Sequence, residues 1–164
     1  MLKTLEEYKI SLTKLLGILN TRLQVYALIT PGVSEKNIGW HIQHSLIVIN
    51  EYIDSLNHSN PENYKWKFNF LRMIVLLSKL VPRYFGKAPE SLLPVNSMEK
   101  EQLEKYITET RDNILQIKEL PKYAYVDHPV FYKLNFIEAI DYLETHTKHH
   151  IKIIDDIVKQ HKEN

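Results

Sequence analysis

Residues 135–159 read Asn135-Phe136-Ile137-Glu138-Ala139-Ile140-Asp141-Tyr142-Leu143-Glu144-Thr145-His146-Thr147-Lys148-His149-His150-Ile151-Lys152-Ile153-Ile154-Asp155-Asp156-Ile157-Val158-Lys159. Ala139, Leu143, His146, His150, Ile153 and Ile157 recur at spacings of four and three. That is the spacing of a helix face buried against other helices. It predicts a long final helix from about Asn135 to Lys159, with Glu138 as the N3 partner of a capping box. His146 and His150 lie in the apolar stripe, one turn apart and within about 40° of each other. Two buried imidazoles each cost on the order of 1–3 kcal/mol if unpartnered. A shared metal ion satisfies both at once, and so do separate hydrogen bonds to backbone, tyrosine or carboxylate. His149 points about 100° from His150, toward the edge of the stripe.

The rest of the chain repeats the helical period. Leu5, Ile10, Leu12, Leu15, Leu16 and Leu19 mark a first helix over Leu2–Leu19. Thr30-Pro31-Gly32 is a turn, and Ser34 is placed to cap a second helix running to Leu56. Trp66 to Val81 is a third apolar segment. Pro82, Gly86, Pro89 and Pro94 then interrupt the pattern, which reads residues 82–94 as a long crossover or a lid. A helix capped by Ser97 extends to Leu120, and Lys122 to Lys133 forms an aromatic loop. No stretch shows a convincing strand pattern. The expected class is all-α: four long helices, an additional helical segment and a long crossover connection, in one domain over residues 1–164.

Composition narrows the chemistry. The 164 residues carry 21 Lys+Arg against 20 Asp+Glu, so no net field draws nucleic acid or a membrane surface. Neither is an expected partner. No run approaches the ~18 apolar residues of a membrane span, and Met1 to Asn20 lacks a secretory apolar core, which makes the cytoplasm the expected compartment. Cysteine is absent, so thiolate sites and disulfides are excluded. A transition-metal site in this chain must use His and carboxylates, which suits Zn, Ni, Fe or Mn. Histidine is abundant, with eight residues, five of them in two short clusters.

The second cluster is Trp40-His41-Ile42-Gln43-His44. Ile38, Ile42, Ser45, Ile49, Tyr52, Ile53 and Leu56 define the buried face of the second helix. His41 lies roughly 55° from its centre and His44 roughly 115°. Periodicity makes His41 the deeper residue, and His44 reaches the site only from the flank. Tyr52 is the best-placed phenol. Glu51, Asp141 and Glu144 flank the histidines in sequence but point off the seam. His128 reads as a loop-packing residue, and His58 and His161 as solvated.

Three stretches together carry a resemblance: Trp40-His41-Ile42-Gln43-His44-Ser45-Leu46, His128-Pro129-Val130-Phe131-Tyr132-Lys133-Leu134, and His146-x-x-His149-His150. They resemble the DinB-like superfamily of helical bundles, over about residues 30–160. The resemblance implies a four-helix bundle, often a homodimer, which the apolar helices of this chain also favour. It implies a divalent metal held by one His of the second helix and a terminal His-x-x-x-His pair, here His44, His146 and His150. Ile42, Val48 and Ile49 match the apolar register around the family's helix-two His. That register selects His44 where periodicity selects His41. His149 is the alternative on the last helix. The family position after Phe131 is usually Gly; here Tyr132 either fills part of the site or lends it a hydroxyl. The implied function is a metal-dependent enzyme acting on a small-molecule substrate, as a thiol-dependent transferase or a hydrolase. The competing expectation is a non-catalytic binding or dimerisation module.

Overall fold

A computed structural model describes residues 3–82 and 89–163. Five α-helices and one two-stranded hairpin are found among them: α1 Leu5–Arg22, α2 Ile38–His58, α3 Phe70–Ser78, α4 Lys100–Gln116, β1 Tyr125–His128, β2 Tyr132–Asn135 and α5 Phe136–Glu163. The helical class is as expected, and the hairpin is not. Residues 83–88 of the expected crossover, Gly86 among them, lie outside the described residues. Its described end carries one 3-10 turn, Glu90–Leu92. Among the described residues, no helix is long and apolar enough to cross a membrane.

The helix starts follow local hydrogen bonding rather than the first apolar residue. Thr4 caps α1 and receives the Glu7 N–H, while the Glu7 carboxylate accepts from the Thr4 N–H at 2.7 Å. Asn37, not Ser34, caps α2, taking the Trp40 N–H at 2.8 Å. Ser34 serves a histidine instead. Glu99 and Gln102 form the capping box of α4 in place of Ser97, and α4 ends four residues before Leu120. The α5 box is the expected one: the Asn135 N–H donates to Glu138 Oε2 at 3.0 Å, and the Glu138 N–H to Asn135 Oδ1 at 3.1 Å.

The four long helices bury one core. α1 and α2 each pack against both α4 and α5. Leu12, Leu16 and Leu19 of α1 share that core with Ile42, Leu46 and Ile49 of α2, Leu103 and Ile107 of α4, and Leu143 and Ile154 of α5, all essentially inaccessible. Burying each such side chain stabilises by about 1.5–3 kcal/mol. Polar ties hold α1 and the residues before it to α5: Lys3 donates to both Glu144 oxygens, Tyr8 Oη donates to Asp141, and Arg22 donates to Asp155 at 2.7 Å.

The hairpin replaces the expected aromatic loop. Val126 and Leu134 pair in its register and turn inward. Its turn needs a left-handed residue, and Tyr132 supplies it at φ +61°. That is the position where the family resemblance leads one to expect Gly, which takes this conformation without steric cost. The Tyr132 side chain is half exposed, with Lys67 Nζ 5.4 Å over its ring. It neither fills the site nor lends it a hydroxyl.

α3 is shorter than expected and stands outside the four-helix core. Its inward face carries Val75, which joins the core, and a buried Arg72, which donates to the carbonyls of Lys67 at 2.8 Å and Lys133 at 3.1 Å. One guanidinium thus staples α3, the preceding segment and β2. Arg72→Ala strands both carbonyls and removes the partner of Glu138, 3.9 Å away. We expect it to cost about 2–4 kcal/mol, read as a lowered urea midpoint. Arg72→Lys rescues it poorly, because an ammonium cannot reproduce the planar fork.

Candidate metal centre

α2 and α5 pack directly on each other and bring the two histidine clusters together. His41, His44, His146 and His150 are all buried. The helical-wheel reading of His44 therefore fails, for a specific reason. The N-terminal half of α2 is covered nearly all round, by α5, by α4 and by the turn at Glu90–Leu92. Gln43 pins that covering segment down: its amide donates to Asn96 O at 2.9 Å, and its Oε1 accepts the Met98 N–H at 3.2 Å. A residue on the flank of the core-facing stripe is thereby enclosed.

His44, His146 and His150 each offer one nitrogen, and the three atoms lie within 4.8 Å of one another. The Nε2 atoms of His146 and His150 are 3.2 Å apart. Two nitrogens bound to one zinc-sized ion lie about 2.9 Å apart at a right angle and about 3.4 Å apart at a tetrahedral one. The observed edge falls between. The ring centroids of His44 stand 5.1 Å from His146 and 4.8 Å from His150. This group is capable of holding a metal ion.

The remaining ring nitrogens show how the rings are set. His44 Nδ1–H donates to the Leu92 carbonyl at 2.8 Å, which leaves Nε2 with its lone pair. A backbone carbonyl on the second nitrogen is a usual orienting partner of a metal-bound imidazole. His150 Nδ1 shares a proton with His41 Nδ1 at 3.0 Å, and His41 Nε2 lies 2.9 Å from Ser34 Oγ. His41 therefore spends both nitrogens on protein groups. It buttresses His150 and does not replace His44 in the triad. His146 Nδ1 is buried without a hydrogen-bond partner among the described residues.

Burial fixes the charge state. The pKa of His44 is lowered by desolvation. Those of His146 and His150 are held well below the ordinary imidazole value, first by burial and then by the neighbouring imidazoles. All three are neutral at pH 7, the form that binds metal.

Aromatic rings wall the centre. Trp40 stacks on His44 at 5.0 Å and lies edge-on to His41 at 5.2 Å. Tyr142 sits 5.7 Å from His146, and Tyr52 stacks on Tyr142 at 5.8 Å. Tyr52, the phenol expected from spacing, is thus one ring removed, and Tyr142 takes its place. Both phenols are kept protonated, their pKa values raised by burial. His128 packs in the hairpin turn as expected, stacked on Phe131 at 4.2 Å, with Nδ1 accepting the N–H groups of Val130 and Phe131. Desolvation lowers its pKa to about 4.

The carboxylates stay away from the centre. Asp141 is engaged by Tyr8 and Lys79, and Glu144 by Lys3 and Lys148. Glu144 is nevertheless buried, against α1. Glu51, His58 and His161 are exposed. His149 is half-buried at the rim of a cavity of about 380 Å³, shared with Ser34, Lys36, Trp40 and His41. No family model, curated protein or solved structure matches the chain.

Proposed function

We propose that His44, His146 and His150 hold a divalent transition metal, Zn, Ni, Fe or Mn, and that the chain is a metal-dependent enzyme of the DinB-like type. The observation that carries this reading is the convergence of three buried, neutral imidazoles, one of them oriented by a backbone carbonyl. Three protein ligands leave a coordination position open, the format of catalytic rather than structural zinc sites. When bound, such an ion supplies Lewis acidity to a small-molecule substrate, which suits a thiol-dependent transferase or a hydrolase.

The chain's own residues prepare that chemistry. Leu92 O keeps the His44 proton on Nδ1. His41, anchored on Ser34, keeps one proton between itself and His150 Nδ1. Trp40, Tyr142 and Tyr52 exclude water from the imidazoles. No carboxylate stands at the centre among the described residues, so proton transfer falls to imidazole or phenol groups.

The test is elemental analysis by plasma mass spectrometry of untagged protein, with Zn and Mn titrations of the metal-free chain. The expected result is one equivalent per chain. A protein that carries no metal and takes none up would end the proposal. His41→Ala probes the outer support. It removes a partner of a ligand and not a ligand, so metal affinity falls about 10–100-fold while stoichiometry stays at one.

A further inference from the structure

α3 is apolar nearly all round, with Arg72 its one charged residue. Leu71, Val75 and Leu76 pack on the core, while Phe70, Met73, Ile74 and Leu77 form an i, i+3, i+4, i+7 stripe in solvent. Just ahead of the helix, the rings of Trp66 and Phe68 stand 6.4 Å apart. Trp66, Phe68 and Phe70 are 60–64% exposed and Leu77 is 76% exposed. A helix that is apolar on all sides is ordinarily covered on all sides, and a contiguous patch of this kind marks an interaction surface.

Charge identifies the partner. The near-zero net charge of the chain averages two unequal parts. From Asn63 to Pro82 stand Lys65, Lys67, Arg72 and Lys79 and no Asp or Glu, while the rest of the chain holds 17 basic against 20 acidic residues. Arg72 and Lys79 are tied inward, to backbone carbonyls and to Asp141. Lys67 meets the exposed Tyr132 ring at 5.4 Å rather than a carboxylate. Lys65 is exposed beside Trp66 and pairs with no acidic group among the described residues. Two ammonium groups that no carboxylate neutralises therefore border the aromatic cluster. Protein interfaces are depleted of Lys, and a second copy of this face would bring the same cations with no carboxylate in the segment to meet them. An anionic bilayer surface suits both features at once. Trp, Phe and Leu settle where headgroups meet acyl chains, and Lys stems reach back to the phosphates. The nine residues of α3 are about 14 Å long, far short of a bilayer, so the face lies on the surface and does not cross it. The Arg72 contacts hold it in place ahead of docking, so no segment has to be ordered on binding.

We infer that the Trp66–Leu77 face docks this chain on an anionic phospholipid surface. The aromatic and aliphatic side chains enter the interface, and Lys65 and Lys67 engage the headgroups. The acidic remainder of the chain is turned away from the lipid by the same field. The docking face lies outside the four-helix core and does not use the metal ligands.

Co-sedimentation of the full chain with vesicles tests this, using phosphatidylcholine alone or with about 30% phosphatidylserine, at about 0.1 M salt. Wild type should pellet with the phosphatidylserine vesicles and bind phosphatidylcholine at least about tenfold more weakly. Each cation near such a surface strengthens binding about fivefold, so Lys65→Glu, which reverses one charge, should weaken it about 25-fold. Phe68→Ser/Leu77→Glu changes two side chains that stand mostly in solvent, and should abolish binding while circular dichroism shows the fold kept. Lys65→Glu alters only a solvated group and carries the test by itself if the double variant loses its fold. Ile10→Glu, at an exposed apolar position of α1, should bind as wild type does. A wild type that stays in the supernatant overturns the inference. So does a Lys65→Glu or folded Phe68→Ser/Leu77→Glu chain that binds like wild type, or an Ile10→Glu chain that does not. A wild type that ignores vesicles but forms a dimer lost in Phe68→Ser/Leu77→Glu would assign the face to a second copy and overturn it equally. Retention on single-stranded RNA without vesicle binding would do the same in favour of nucleic acid.

Discussion

Acidified from pH 7 to about pH 4, the metal-free protein should unfold. His44, His128, His146 and His150 all have depressed pKa values in the native state, with burial as the first cause in each. Below about pH 6.5 the unfolded chain takes up protons at these rings that the native chain refuses. Their contribution to stability is therefore complete above pH 6.5. It is lost as pH falls toward the native values, about 4 for His128. Four refused protons give a slope on the order of 5 kcal/mol per pH unit. A domain stable by about 5–15 kcal/mol exhausts its margin within roughly one to three units. Circular dichroism at 222 nm against pH, in the presence of a chelator, reads the transition. A native signal retained at pH 4 would contradict the burial of neutral imidazoles. Added zinc should move the midpoint to lower pH, because protons and metal compete for the same nitrogens.

Replacing both α5 ligands by leucine should separate stability from metal binding. In wild type, metal at a hundredfold excess over its dissociation constant stabilises by about 2.7 kcal/mol, or roughly 5–10 °C in Tm for a chain of this size. His146→Leu/His150→Leu should lose that shift entirely and carry no metal. Its metal-free form should melt close to metal-free wild type. The substitution removes an orphaned Nδ1 and two buried polar rings from an apolar seam, worth about 1–3 kcal/mol, but leaves the buried His41 Nδ1 without its His150 partner, at a cost of similar size. Scanning fluorimetry with and without zinc, run beside elemental analysis, checks both parts. A variant that still binds one equivalent, or a wild type that zinc does not shift, would show that these rings are not ligands.

Much of this was legible from spacing. The seam Ala139 to Ile157 places both α5 histidines inside, and the Asn135–Glu138 capping box appears where the residue types put it. The choice between His41 and His44 was not legible from periodicity. A helical wheel measures distance from one buried face, and α2 has cover on several. Only the register carried by the family resemblance pointed to His44, and the geometry now shows that His41 has spent both nitrogens elsewhere. The hairpin escaped notice because its strands are four residues each, too short for alternation to stand out. Tyr132 concealed its turn, since a bulky phenol stands where glycine would have announced a left-handed residue. Tyr142 was within reach, four residues before His146 on the same face. Serine at position 34 could not be read as the partner of His41, because that contact depends on how the turn before α2 folds back.

The hydrogen bond from His44 to Leu92 has a consequence for genetics. Its acceptor is a main-chain carbonyl, so no side-chain exchange at position 92 removes it. An alanine scan would score Leu92 as a modest packing position and leave its part in the centre unrecorded. Changes in chain length behave differently. A one-residue deletion or insertion between Pro89 and Gln43's anchor at Asn96 slides the carbonyl off the imidazole without touching any residue named as a ligand. Length variation in that segment, rather than composition, is therefore where inherited differences in the geometry of the three-histidine group would collect.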